Sequence, residues 1–156
     1  MKIALIGATG FVGTALLKEL TDRGHEVTAI SRHPENIKLK SPLIHPVEGD
    51  VLDAKAVAQL VRGNDVVISA YNPGWTNPRI GEEIMKGSRA IQEGVKAAGV
   101  KRFIVIGGAG SLEHMAEVLL AGKADAVLAA SIFHFGTYTV ADVKKFLSQK
   151  NIPVRL

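Results

Sequence analysis

The sequence predicts an α/β fold: an open parallel sheet with helices on both faces, folded as a single domain. Two observations carry this expectation. Short runs rich in β-branched residues alternate with helical apolar stripes from one end of the chain to the other, which is the pattern of successive βαβ units. The 156 residues are 47% hydrophobic, enough for one sizeable core and within the size range of one domain.

The elements follow in order. Lys2–Ile6 reads as the first strand, and Phe11, Val12, Leu16, Leu17 and Leu20 stripe a helix that ends at Gly24 and packs on the sheet. Glu26–Ser31 is the second strand and Ile44–Glu48 the third. Pro46 lacks the N–H that an inner strand needs, which places the third strand outermost. After Asp65–Ala70, the fourth strand, "YNPGWTNP" at Tyr71–Pro78 is a loop rich in Pro, Gly and Asn. Ile80, Ile84, Ile91 and Val95 stripe a longer helix ended by Gly99, and Arg102–Ile106 forms the fifth strand, opening into Gly107, Gly108 and Gly110. Leu112, Met115, Val118 and Leu119 stripe the next helix, and Ala126–Ala130 is the sixth strand. The last helix carries Val140, Val143, Phe146 and Leu147 and opens with the capping-box pattern Thr139-Val-Ala-Asp142. Ile152–Leu156 is expected either as a short extra strand or packed under that helix.

Charge and composition narrow the partners. A net charge of +4 with scattered Lys and Arg gives no basic surface for nucleic acid. Without cysteine there is no disulfide, thiolate metal site or thiol nucleophile, which fits the cytoplasm. No apolar run approaches the ~20 residues of a membrane span, and the chain opens directly on a strand with no signal-like segment. His25, His33, His45, His114 and His134 show no i,i+4 ligand pairs, so no metal site is expected. A small molecule is the expected partner, with the chain a monomer or a weak homodimer through an exposed sheet edge.

"IALIGATGFVGTALL" sets Gly7, Gly10 and Gly13 between a strand and a helix start. Glycines there allow a tight turn and close approach to a pyrophosphate, whose charge the free N–H groups and dipole of the helix favour. That points to a Rossmann-like dinucleotide site at Gly7, Thr9, Gly10, Phe11, Val12 and Gly13. An NAD site would place an acidic residue after the second strand. Here stand Ser31, Arg32 and His33, and a guanidinium pairs with a 2′-phosphate, so NADP is favoured over NAD.

Residues 1–112 resemble the atypical short-chain dehydrogenase/reductases, specifically their NmrA-like, NAD(P)H-binding members. The resemblance rests on "GATGFVG", "SRHPENI", "EGDVLD" at Glu48–Asp53, "DVVISAYNPG" at Asp65–Gly74 and "GVKRFIVIGGAGSL" at Gly99–Leu112. It implies that Asp50 and Val51 lie near the adenine, that Ser69, Ala70 and Tyr71 follow the ribose and nicotinamide end, and that the turn at 107–111 borders the substrate.

From Gly107 to Leu156 the motifs "GGAG…EHM", "GKADAVLAAS.FHF" and "NIPVRL" instead resemble the C-terminal quarter of the cyclase subunit of imidazole glycerol phosphate synthase, a (βα)8 barrel. That resemblance implies a phosphate (or sulfate) site at the backbone of Gly108, Ala130 and Ser131. Because "GGAGSLE" suits both families, the expected arrangement is an engineered chimera in one Rossmann-like domain, 1–156. Residues 1–106 would be reductase-derived, 107–113 shared and 114–156 barrel-derived, giving six strands in the order 3-2-1-4-5-6.

No catalytic residue is expected. The Tyr-x-x-x-Lys pair of the reductase superfamily is absent, since Tyr71 is followed four positions later by Trp75 and Tyr138 by Asp142. The barrel family's catalytic aspartates lie on early strands that the second segment does not contain. Ser111 reads as a helix N-cap. The expectation is therefore ligand binding without turnover. Its alternatives are an NADP-dependent oxidoreductase or epimerase working through the loop after Tyr71, and a designed scaffold without a ligand.

Overall fold

The structure is a computed structural model that describes residues 1–74, 76–106, 112–120, 126–128 and 136–155. Its six strands are β1 (Lys2–Ile6), β2 (Glu26–Ser31), β3 (Ile44–Glu48), β4 (Val66–Ser69), β5 (Arg102–Ile106) and β6 (Ala126–Leu128). They form one parallel sheet in the order β3-β2-β1-β4-β5-β6, the expected 3-2-1-4-5-6. Pro46 lies on the edge strand β3, opposite Ala29 of β2. There its missing N–H costs the sheet no inner hydrogen bond.

Helices α1 (Phe11–Asp22), α2 (Ala54–Val61), α3 (Ile80–Ala98) and α4 (Leu112–Leu120) lie between strands, and α5 (Val140–Gln149) follows the last one. Because side chains alternate across a strand, β1 sends Ala4 and Ile6 to one face and Ile3 and Leu5 to the other. The first pair joins Val57 and Val61 of α2 and Ile91 and Val95 of α3. The second joins Leu17 of α1 together with Val27, Ala29 and Ile68. A third cluster unites Met115 and Ala116 of α4 with Val143 and Leu147 of α5 and Ile152. The tail after α5 thus packs on the last helix through Ile152, whose N–H bonds the Leu147 carbonyl. The Thr139–Asp142 capping box forms as read, each residue's side chain accepting from the other's backbone N–H.

Three expectations need correction. The α1 stripe does not reach its first turn: Phe11 is 97% exposed and Val12 43%, while Leu17 is buried. The first turn follows the glycine turn at the end of β1, and neither side chain joins an apolar cluster. Val140, in the first turn of α5, is likewise exposed. Helix α2 was not assigned a stripe, although Asp53 caps its start by accepting from Lys55 N–H and Val57, Ala58 and Val61 are buried. Strand β4 is one residue shorter at each end than Asp65–Ala70. The last two residues expected in β6, at 129 and 130, lie outside the described residues.

Among the described residues no helix is long and apolar enough to cross a membrane.

Candidate functional site

At the carboxyl ends of β1, β2 and β4 lies a cavity of about 230 Å³, the place where an open parallel sheet binds its ligands. Its floor is the turn from β1 into α1. Gly7 there has φ +81°, and a Cβ on it would stand 2.6 Å from the Ala70 carbonyl oxygen. A Cβ on Gly13 would stand 2.0 Å from the Gly7 carbonyl oxygen. The glycine spacing is therefore set by two backbone approaches that no side chain permits.

Gly10 is the N-cap of α1; no side chain caps this helix, and its first turn holds no acidic residue. The start of α1, whose N-cap Gly10 lines the cavity, thus brings the positive end of the helix dipole to this edge with no acidic side chain of its own first turn beside it. This fits the pyrophosphate of a dinucleotide.

Of the residues expected at the dinucleotide, Gly7, Thr9, Gly10, Arg32, Asp50, Val51, Ala70 and Tyr71 line this one cavity. Phe11, Val12, Gly13 and Ser69 do not. The first two belong to the first turn of α1, Gly13 packs against Gly7, and Ser69 is buried, its Oγ accepting from Tyr71 N–H at 3.4 Å. Gly108, Ala130 and Ser131, with Trp75 and Ser111, lie outside the described residues.

The structure adds residues to which no site role was given from the sequence. Ile6, Ile30, Ser31, Gly49, Leu52, Asn72 and Glu83 are the other described residues of the lining. The Ser31 and Thr9 hydroxyls share a hydrogen bond of 2.8 Å, and Ser31 Oγ also accepts from His33 N–H at 3.1 Å. These contacts tie the glycine turn to the end of β2. Glu83 comes from the first turn of α3, where Asn77 Nδ2 donates to its Oε2 at 2.9 Å and the Arg79 guanidinium lies 3.4 Å from its Oε1. Only its distance from the glycine motif hid it, since nothing at residues 7–13 points to position 83.

Tyr71 forms the wall between β4 and α3. Its hydroxyl donates to the Glu83 carbonyl at 3.2 Å. Its ring lies against Gly87, where a Cβ would come within 2.4 Å of Tyr71 Cε1. Burial raises the phenol's pKa above its ordinary value, helped by the negative charge of Glu83 and opposed by Arg32. Tyr71 is therefore a protonated hydrogen-bond donor at neutral pH. Arg32, exposed on the rim, reaches across to donate from Nη2 to the Pro73 carbonyl at 3.4 Å. The cavity thus combines a bare helix start, a cationic rim and one half-buried phenol. It can hold an extended anionic ligand.

Comparison with known proteins agrees with this geometry. The family model described as NAD(P)H-binding matches residues 7–145. A candidate epimerase from Bacteroides thetaiotaomicron is 48% identical over 70% of this chain and 48% of its own, with a TM-score of 0.62. A candidate exported protein from Burkholderia pseudomallei is 40% identical over 70% of this chain and 49% of its own, with a TM-score of 0.54. The chain thus spans about half the length of these two structures. The dTDP-glucose 4,6-dehydratase of Streptomyces venezuelae, solved with NAD bound, shares the fold with a TM-score of 0.67 at 17% identity, over 83% of this chain and 55% of its own. The cavity at the glycine turn and the match over residues 7–145 lead to one conclusion: the chain belongs to the NAD(P)H-binding family.

Proposed function

We propose that the chain binds NADP in preference to NAD at the cavity of Gly7, Gly10, Arg32, Asp50 and Tyr71, and that it does so without turnover. The observation that carries this reading is the convergence of an uncapped helix start and an arginine, in place of a carboxylate, at the end of β2 in one cavity. A bound NADPH supplies a hydride donor. The chain's own part is to cradle the pyrophosphate on the first N–H groups of α1, to set Arg32 toward the 2′-phosphate and to close the far wall with Tyr71.

The joined origin of the chain belongs to the same proposal. The Bacteroides and Burkholderia structures each cover 70% of the chain, close to the share that residues 1–112 represent. That share fits a reductase-type segment at the front of the chain; the barrel-type origin of the remainder, with a phosphate site at Gly108, Ala130 and Ser131, rests on the sequence resemblance from Gly107 onward. A second reading is an oxidoreductase or epimerase. It is favoured by Tyr71, a protonated phenol within the cavity, and by the epimerase description of the Bacteroides protein.

Thermal unfolding with NADP, NAD and phosphate tests the proposal. A ligand that binds only the folded chain at a hundred times its Kd stabilises it by ~2.7 kcal/mol. A larger rise in midpoint with NADP than with NAD is expected. Equal shifts would remove the role of Arg32, and no shift would remove the site. Oxidation of NADPH in the presence of a carbonyl substrate would favour the second reading.

A further inference from the structure

The loop between β4 and α3 is held by Tyr71 against α3 and at two further places, which differ in kind. Its far end is anchored on α3, where Asn77 and Arg79 both reach the Glu83 carboxylate. Its near end carries the tie from Arg32 Nη2 to the Pro73 carbonyl. Pro73 is buried, between an exposed Asn72 and a partly exposed Gly74, while Arg32 itself is exposed. A proline has a fixed φ, and a buried one offers its carbonyl from a fixed place. An exposed arginine is otherwise free to sample its rotamers, and fixing them carries an entropic cost.

From this geometry we infer that Pro73 is a positioning residue for coenzyme choice. Its carbonyl holds the Arg32 guanidinium over the rim, so that binding of a 2′-phosphate and fastening of the 71–74 segment are one linked event. This inference rests on the reading that NADP occupies the cavity. A guanidinium has five N–H donors, and the Pro73 carbonyl engages one nitrogen, Nη2, which leaves the other donors for a phosphate. The two partners therefore do not compete. Each restricts the same side chain, so each reduces the entropy still to be lost when the other binds, and the effect is reciprocal. NAD, lacking the 2′-phosphate, gains nothing from the arrangement. Discrimination thus lies in the loop after β4 as well as in Arg32.

The test is calorimetric titration of NADP and NAD into the wild type, Pro73→Gly, Arg32→Ala and the double variant, with amide hydrogen exchange of residues 71–79 followed in parallel. Pro73→Gly retains Arg32 and the carbonyl but frees the backbone. It should weaken NADP by about fivefold, the lower end of ordinary couplings, and leave NAD within twofold. In the Arg32→Ala background, Pro73→Gly should produce no further loss of NADP affinity. Exchange in 71–79 should slow with NADP more than with NAD, and should quicken in ligand-free Arg32→Ala. If Pro73→Gly weakens both coenzymes alike, or neither, or if Arg32→Ala leaves exchange in 71–79 unchanged, the positioning role is overturned while the NADP reading stands. A wild type that binds NAD as tightly as NADP, or binds neither, overturns that reading and the inference with it.

Discussion

Replacing Gly87 by alanine places a methyl group where the Tyr71 ring now lies. In the interior of a helix such as α3, glycine is about 1 kcal/mol worse than alanine, so on an unobstructed helix the change would stabilise the protein. The space is not free, because the new Cβ would stand 2.4 Å from Cε1 and 2.6 Å from Cζ of the ring. The ring must move, and with it goes the hydrogen bond from its hydroxyl to the Glu83 carbonyl. Overpacking of this kind costs roughly 1–3 kcal/mol and a lost hydrogen bond about 1 kcal/mol. Set against the helical gain, the net destabilisation of Gly87→Ala is about 1–3 kcal/mol. The double change with Tyr71→Ala decides the cause, since without the ring only the helical term remains. Measured against Tyr71→Ala alone, Gly87→Ala should then stabilise by up to about 1 kcal/mol. Urea unfolding of the four proteins at one pH gives all the terms. If Gly87→Ala has the same sign in both backgrounds, the glycine is not there to seat Tyr71.

Other changes test the site and the last helix. Gly13→Ala should abolish dinucleotide binding, because its Cβ would meet the Gly7 carbonyl at 2.0 Å and the turn must open; titration of NADP into the variant measures this. Arg32→Ala should narrow the difference between NADP and NAD, mainly by weakening NADP. The Thr139 hydroxyl and backbone hold Asp142 below the usual carboxylate range. Its folded pKa is thus depressed, so the stability it adds is present above its unfolded pKa and is lost as the pH falls through the folded value. Melting curves taken from pH 5 downwards should fall less steeply for Asp142→Asn than for the wild type. For Tyr71 the sign is opposite: its folded pKa is raised, so its contribution is complete below the unfolded pKa and is lost as the pH rises through the folded value. Absorbance titration of the phenols should contain a late component that Tyr71→Phe removes.

The sheet was legible because strand and helix signals agree locally along the chain. Pro46 alone was enough to place β3 at an edge, and Thr139 with Asp142 marked the start of α5 to the residue. The first turn of α1 misled because an apolar stripe reports which side of a helix faces inward, whereas the burial of Phe11 and Val12 depends on whether an apolar cluster reaches that turn. Helix α2 was missed for its brevity, as eight residues hold scarcely two turns of periodicity. In the site, residues joined by one short motif were found together. Glu83, Asn72 and Gly49 reach the cavity from other elements, and proximity of that kind is fixed by topology, which periodicity does not express. The tie from Arg32 to Pro73 spans 41 positions of sequence and has no local sign at all.

The third apolar cluster, formed by α4, α5 and Ile152, has a consequence for how such a chain can change. Among the described residues, every one that lines the cavity lies between Ile6 and Glu83, whereas that cluster is built from residues 112 onward. An opening of α5 away from α4 would expose the third cluster and leave the cavity wall standing. Ligand binding would then lend no protection against such an opening, and amides in α5 would exchange at the same rate with or without coenzyme. The carboxy-terminal third could drift in sequence, or be exchanged for another βα unit of similar length, with selection on coenzyme affinity scarcely registering the replacement.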